Sequence, residues 1–430
     1  MRIIFFRLPC LFLCLLFLCG APLFSQSIEA PEIVSQAAVL LDAETGTVLY
    51  EKNPHEEIPP ASLTKLMTMH LIQKEINAGK ASFDEIVPIT TESWALRQPP
   101  RSSLMFLAPG QIVTLREIML GLAIPSGNDA ATAAALRLAP SVTDFAALMT
   151  QEARRMGMTK TLFIEPSGIS EDNITTAAEF AAFCREYLRQ HPRSLAEFHS
   201  VREFAYPKAD NVAEAFRDDP KTIVQENRNN LLKTFPGVDG FKTGYIDEAG
   251  YNIALTAERN GTRFIAVILG APAHPGGARI RDRDGEQLLS WAFENFKTVR
   301  PEMPPLEPVR LWKGKDKWAK LRITGPANYS PSDFNPSNYN LQNPADFNPV
   351  DSNPLAFTAS IDRAASLQFT AEVNHPLIAP LPALYPVGWL IISDERGELH
   401  RVRLLTAQAY QQGNIFKRIW DSIRLSFMKR

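Results

Sequence analysis

Two prolines, Pro59 and Pro60, lead into Ser62-Leu63-Thr64-Lys65, a serine with a lysine three positions on. Prolines suit an extended approach to a helix start, and residues three apart on a helix share a face, so the Lys65 amine can reach the Ser62 hydroxyl. A serine alkoxide is inaccessible at neutral pH without a base, and a lysine serves as that base where burial and neighbouring cations depress its pKa. The helix N-terminus adds positive potential where an acyl oxyanion would form. Ser126-Gly127-Asn128 follows LREIMLGLAIP, an apolar helical run ended by Pro125. A second hydroxyl near the first pair can relay a proton to a leaving amine, while a carboxamide can hold a substrate amide by donor and acceptor together. Lys242-Thr243-Gly244 lies inside GVDGFKTGYIDEAGYNIAL. As a strand edging a cleft it offers a cation and a hydroxyl to a carboxylate, with Gly244 admitting a close substrate backbone. Strict alternation sends Lys242 and Thr243 to opposite faces, so this role requires twist or edge geometry. Taken singly, each motif has a plainer reading: an ordinary surface helix, a loop with a helix cap, a lone tripeptide.

Their order and separation change that balance. The three match the S-x-x-K, S-x-N and K-T-G set of penicillin-binding proteins and serine β-lactamases. The surrounding text, PPASLTKLMT, SLMFLAPGQIVT, IPSGNDAATAAA, NRNNLL and GVDGFKTGYIDEAGYNIAL, resembles the low-molecular-mass penicillin-binding proteins, the serine D-alanyl-D-alanine carboxypeptidase family of penicillin-binding proteins 5 and 6. The likeness runs from about Val34 to Phe296 and more loosely beyond. It implies Ser62 as the nucleophile that attacks the carbonyl between two D-alanines, Lys65 as general base, and Ser126 as the group passing a proton to the leaving D-alanine. It implies that Asn128 holds the peptide stem and that Lys242 keeps the electrostatics of the Lys65 and Ser126 pair. Thr243 and Arg228 would bind the terminal carboxylate beside Gly244. Arg228 has support of its own, because a free C-terminus must be recognised and a guanidinium suits a carboxylate; a solvated arginine is the plainer alternative. The oxyanion hole would be the backbone amides of Ser62 and Tyr245. Relatives often have His or Thr after K-T-G, so Tyr245 bears on substrate preference more than on activity. Water would hydrolyse the acyl-enzyme, with no metal or organic cofactor. The expected partners are a peptidoglycan stem peptide and β-lactam antibiotics.

Two rivals stand beside this reading. A serine β-lactamase uses related machinery plus a glutamate that activates the deacylating water. The E-x-x-L-N pattern of that family is absent, and Glu165 in FIEPSGI has the wrong neighbours, so it reads as an ordinary polar side chain. A non-catalytic cell-wall binding or shape scaffold would keep the fold without turnover, and the presence of all the expected polar groups disfavours it.

The elements that must position these groups follow from periodicity. AVLLDAETGTVLYEKN predicts a hairpin turning at Glu44 to Gly46, helical patterns run on to about Tyr187, FIAVILGAP reads as a buried strand, and DGEQLLSWAFENF as a helix. The prolines of VRPEMPPLEP mark a linker. PVRLWKG, WAKLRITG, LQFTAEV and GWLIISD then predict a small β-sandwich. DFNP at Asp333–Pro336 and again at Asp346–Pro349 lies in an Asn, Pro and Ser run that cannot supply a core and reads as a surface loop. The expected fold is α+β: a β-lactamase/transpeptidase-like catalytic domain of antiparallel sheet and helical subdomain, then an all-β sandwich and a C-terminal amphipathic helix. The boundaries are residues 1–27 for an export signal, 28–299 for the catalytic domain, 300–308 for the linker, 309–406 for the sandwich with its insert at 327–355, and 407–430 for the tail.

Charge and cysteines set the compartment and exclude partners. Over 430 residues the formal net charge is −2, which offers no broad basic field for nucleic acid. Arg2 and Arg7 precede the apolar run Leu8 to Leu18, with small residues after it, the pattern of an export signal. Lipidation at Cys19 is the rival, disfavoured by Leu18 where a small residue is usual. Cys10, Cys14 and Cys19 fall in that segment, leaving Cys184 to be a buried core thiol. In NIFKRIWDSIRLSFMKR, Ile415, Ile419, Ile423 and Phe427 are four apart and five basic residues face one Asp421. Such a helix suits the surface of an anionic bilayer; packing on its own β-domain is the alternative. The protein is thus expected to be exported and periplasmic, peripheral on the outer face of the cytoplasmic membrane.

Overall fold

The computed structural model describes residues 28–323 and 353–428. Residues 1–27, read above as an export signal, and residues 327–352 of the expected insert lie outside these.

Strands β1 (Ala37–Asp42) and β2 (Val48–Lys52) pair as an antiparallel hairpin whose turn uses Gly46 at φ +75°. Far along the chain, β3 (Val238–Ile246), β4 (Gly250–Arg259) and β5 (Thr262–Ala271) complete an antiparallel five-stranded sheet in the order β2-β1-β5-β4-β3. Helices cover both of its faces. On one lie α1 (Lys65–Asn77), α2 (Leu115–Ala123), α3 (Asn128–Leu138), α4 (Val142–Arg155) and α5 (Ala177–Gln190), and on the other α6 (Gly277–Asn295). Side chains alternate along a strand, so Val39, Leu41, Ile265 and Val267 enter the core under α1 to α5, while Ala38, Leu40, Phe264, Ala266 and Ile268 meet Leu288, Leu289 and Ala292 of α6. That double burial is why FIAVILGA is apolar without a break.

The helix starts are chemically specified. Thr114 and Glu117 form a reciprocal capping box on α2, and Ser141 and Thr176 accept from the third amide of α4 and α5. Each such cap is worth about 1 kcal/mol. Helix α1 is buried along most of its length, so its polar members Lys65, Thr68, His70 and Gln73 need partners inside the protein, and they find them. Cys184 on α5 is fully buried, and burial pushes its thiol pKa well up, as befits an inert core residue.

A separate apolar cluster spans Leu311 to Tyr410. Here β6 (Phe296–Val299) pairs with β8 (Phe357–Ser360), and β7 (Val309–Trp312) lies between Trp318–Ala319 and Leu377–Ile378. A four-stranded sheet runs Leu321–Ile323, β11 (Gly397–Thr406), β10 (Pro386–Asp394), β9 (Gln368–Val373). The last helix, α7 (Ile415–Met428), turns a polar edge inward: buried Asp421 accepts from the Lys313 amide at 2.7 Å and from Lys417 Nζ at 3.0 Å. Its residues Ile415, Phe416, Ile419, Trp420, Ile423 and Phe427 are exposed. Among the described residues, no helix is long and apolar enough to cross a membrane.

Candidate active site

Ser62 lies on a 3₁₀ turn, Ala61–Thr64, that runs directly into α1, with Lys65 as the first α-helical residue. The approach is fixed from the sheet: Asn252 of β4 donates to the Pro59 carbonyl at 2.9 Å and accepts from the Gly270 amide at 2.8 Å. Ala61 takes the left-handed conformation at φ +48°, and Gly168 packs so tightly beneath it that a Cβ there would stand 1.8 Å from the Ala61 carbonyl oxygen. Ser62 is half-buried while Lys65 is fully buried.

Lys65 Nζ donates to Ser62 Oγ at 3.0 Å, to Asn128 Oδ1 at 2.8 Å and to the Ser167 carbonyl at 2.6 Å. Burial drives its pKa from 10.5 to about 7; Glu165 pulls it back up, Arg228 pushes it further down and Asp129 again raises it. An amine in that position exists in large part as a free base at neutral pH, which is the condition for accepting the Ser62 proton. Asn128 in turn donates to Ser102 Oγ at 3.1 Å, so its carboxamide is oriented from both ends.

Ser126 has φ +65° and is almost fully buried, and its hydroxyl has no hydrogen-bond partner among the described residues. Arg228 is anchored beside it through Nε to the Pro125 carbonyl at 3.0 Å. Lys242 and Thr243 are both buried although they are adjacent in β3, the edge strand of the sheet. Lys242 Nζ bends back to the Thr243 carbonyl at 3.1 Å, and burial, with the charges of Lys65, Arg228 and Arg281, pushes its pKa well down. Gly244 closes the gap between strand and nucleophile: a Cβ there would lie 3.0 Å from the Ser62 nitrogen and 2.9 Å from the Pro60 carbonyl. Tyr245 follows, exposed, at the end of the same edge. The three distant motifs therefore meet around Ser62 and Lys65, with Asn128 bonded to Lys65 and Gly244 packed on the Ser62 nitrogen.

Other residues that build the site do not stand out in the sequence. Asp129, next to Asn128, accepts from the amides of Met105, Phe106 and Leu107 at 2.8 to 3.0 Å and so pins the Ser102 loop against α3. Glu165 is more than an ordinary polar side chain: it accepts from the Ser167 amide and hydroxyl and from Asn173 Nδ2, shaping the loop whose Ser167 carbonyl accepts a hydrogen bond from Lys65. Both its oxygens are engaged by its own loop. Only E-P-S-G, a glycine-ended turn, hinted at this. Among the described residues no cluster of His, Cys, Asp and Glu has the makings of a metal site.

Comparison with known proteins agrees with this geometry. The family description "D-alanyl-D-alanine carboxypeptidase", of serine peptidase family S11, matches residues 25–273. D-alanyl-D-alanine carboxypeptidase DacC of Escherichia coli (strain K12) is 30% identical over 409 residues, which are 94% of this chain and 90% of that protein. Penicillin-binding protein 5 of Haemophilus influenzae shares the fold at a TM-score of 0.73 and 24% identity, over 90% of this chain and 100% of that one. Penicillin-binding protein D2 of Listeria monocytogenes, solved in its ampicillin-bound form, matches 61% of this chain and 100% of its own at a TM-score of 0.51 and 28% identity. With more than half its length matched by the family and nearly all of it by a relative of the same architecture, this chain belongs to the D-alanyl-D-alanine carboxypeptidase family of serine peptidases.

Proposed function

We propose that this protein removes the terminal D-alanine from peptidoglycan pentapeptide stems through an acyl-enzyme on Ser62. The observation that carries the reading is the buried Lys65 amine, 3.0 Å from the Ser62 hydroxyl with a pKa brought to about 7. Free Lys65 takes the Ser62 proton as Oγ bonds to the carbonyl carbon of the penultimate D-alanine. The oxyanion is held by the backbone N–H groups of Ser62 and Tyr245, a pairing supported by the close packing of Gly244, the residue before Tyr245, on the Ser62 nitrogen. Collapse breaks the peptide bond, and Ser126, whose hydroxyl has no partner among the described residues, passes the proton held by Lys65 to the departing amine. Arg228 and Thr243 hold the terminal carboxylate, Asn128 the stem amide, and Lys242 keeps the electrostatics of the Lys65 and Ser126 pair. Water then adds to the ester carbonyl as Lys65 takes its proton, and collapse breaks the ester bond, with Lys65 returning that proton to the departing Ser62 oxygen.

Penicillin would acylate the same serine. The rest of the reading is export by residues 1–27, a catalytic domain at 28–299, a linker at 300–308, a sandwich at 309–406 and a tail at 407–430 that lies on the outer face of the cytoplasmic membrane. The exposed apolar side of α7 supports that last placement. Incubation with a stem pentapeptide should release free D-alanine, and fluorescent penicillin should label wild type but not Ser62→Ala. No D-alanine and no label from wild type would end the proposal.

A further inference from the structure

Just past the end of β3, two opposite charges meet. Arg101 Nη1 lies 2.9 Å from Asp247 Oδ2 and Nη2 lies 3.3 Å from Asp247 Oδ1, while the Tyr245 hydroxyl donates to Asp247 Oδ1 at 2.5 Å. Tyr245 also stacks on Tyr251, its cross-strand neighbour, with ring centroids 4.3 Å apart. The chain on either side of this pair runs straight to the chemistry. Arg101 precedes Ser102, which receives the Asn128 amide, and Asp247 stands three residues past Gly244, which packs on the Ser62 nitrogen. The pair therefore ties the segment leading into Ser102 to the end of the strand that packs on Ser62. Both side chains are largely exposed, an arrangement that contributes little to stability.

The direction of the substrate decides what meets this bridge. A terminal carboxylate at Arg228 and Thr243, with the scissile carbonyl at the Tyr245 amide, makes the stem run antiparallel to the edge strand β3. Its upstream end then points toward Ile246 and Asp247, and a strand advances about 3.4 Å per residue. The residue preceding the two D-alanines is thus delivered to Tyr245, Asp247 and Arg101. Resting on the reading of Ser62 as the acylated nucleophile, we infer that Arg101 and Asp247 form a subsite for the side chain of that residue, selecting a diamino acid whose tip carries both an ammonium and a carboxylate. Asp247 pairs with the ammonium and Arg101 with the carboxylate. A zwitterionic tip exchanges partners with the existing ion pair and leaves no charge alone. A lone ammonium would claim Asp247 and leave Arg101 unpaired, and a neutral tip would pair with neither. Glu248 adds negative charge near Arg101 and further disfavours a second unpaired carboxylate.

Three peptides ending in D-Ala-D-Ala test this, preceded respectively by diaminopimelic acid, lysine and Nε-acetyl-lysine. Release of D-alanine gives kcat/KM for each with wild type, Arg101→Ala and Asp247→Ala, and fluorescent penicillin labelling reports that each variant is folded around Ser62. Wild type should prefer the diaminopimelyl peptide over the acetyl-lysyl one by about three- to tenfold, the range open to two partly exposed charge pairs. Arg101→Ala should reduce that ratio to the value for lysine, and Asp247→Ala should abolish the preference for both charged peptides. Equal losses on all three peptides, or a wild type without preference, would overturn the subsite and leave the Ser62 reading intact. Absence of D-alanine release from every peptide by wild type would remove the Ser62 reading and the subsite with it.

Discussion

On the proposed mechanism one side chain sets the pH range. Lys65 must be a free amine to accept the Ser62 proton, and burial has brought its pKa to about 7. The sign follows: below that value the amine is an ammonium and cannot act as base, and above it the base is present. Acylation by penicillin, measured as a second-order rate, should rise by about tenfold from pH 6 to pH 8 and then level. A flat profile over that interval would show that Lys65 is not the base. Lys65→Arg should lower the same rate at least about 100-fold, because a guanidinium stays charged and general-base catalysis is worth that much. The meeting of Ser62, Lys65 and Asn128 was legible in the sequence because each lies in a short motif of distinctive type. Asp129 and Glu165 were not, since both act through backbone amides, which accept any sequence at the donating positions.

The elements around the site are as constrained as the residues in it. Gly168, at φ +80°, supports the turn that carries Ser62, and a methyl group there would collide with the Ala61 carbonyl at 1.8 Å. Gly168→Ala should therefore displace Ser62 and lower acylation at least about 100-fold, the usual consequence of misplacing a nucleophile by an ångström. Circular dichroism should show the helices retained; wild-type acylation would mean the turn does not depend on this contact. Between α1 and α5 lies a buried polar cluster in which His191 meets His70 at 2.9 Å and His199 meets the Tyr187 hydroxyl at 2.9 Å. Burial lowers the pKa of both His191 and His199 to about 3 from an ordinary 6.5, with His70 adding to the effect at His191. The unfolded chain binds protons from pH 6.5 downward and the fold does not, so stability is full above 6.5 and lost as pH falls toward 3. Each histidine should contribute a loss of roughly 1 to 2 kcal/mol by pH 5, read from urea unfolding midpoints. His191→Gln should make that slope shallower by about one proton, and an unaltered slope would contradict the assignment. The strands and helices themselves were readable wherever burial is simple. The continuous apolar run of β5 and the helical spacing around Cys184 are examples. Lys242 and Thr243 were the hard case, because the alternation rule takes no account of whether a strand is at the sheet edge.

At the scale of the whole molecule, the catalytic and C-terminal parts are joined by the β6–β8 pairing and by side chains at the end of β1, with Thr45 Oγ1 2.6 Å from Thr358 Oγ1. Asp42, at the end of β1, accepts from Thr298 of β6 at 2.7 Å and from Thr358 of β8 at 2.9 Å. The tail is tied in as well, with Tyr410 in the sandwich core and Asp421 of α7 capping the Lys313 amide. This docking has a consequence for orientation. A helix packed for stability alone would turn its apolar side to the β-domain, whereas α7 presents the Asp421 edge inward and leaves Phe416, Ile419, Trp420 and Ile423 in water. Arg418 and Arg424 are exposed on the same helix, so the outward surface combines aromatic, aliphatic and cationic groups, the mixture that binds an anionic lipid headgroup layer. The full chain should sediment with anionic vesicles, less so as salt rises. Trp420→Glu combined with Ile423→Glu should weaken that binding at least about tenfold, since each change puts a like charge and a desolvation cost into the interface. Release of D-alanine from a soluble peptide should be the same for both proteins, because neither residue approaches Ser62. Equal sedimentation of the double variant would place the membrane contact elsewhere and leave the outward apolar face of α7 to another role.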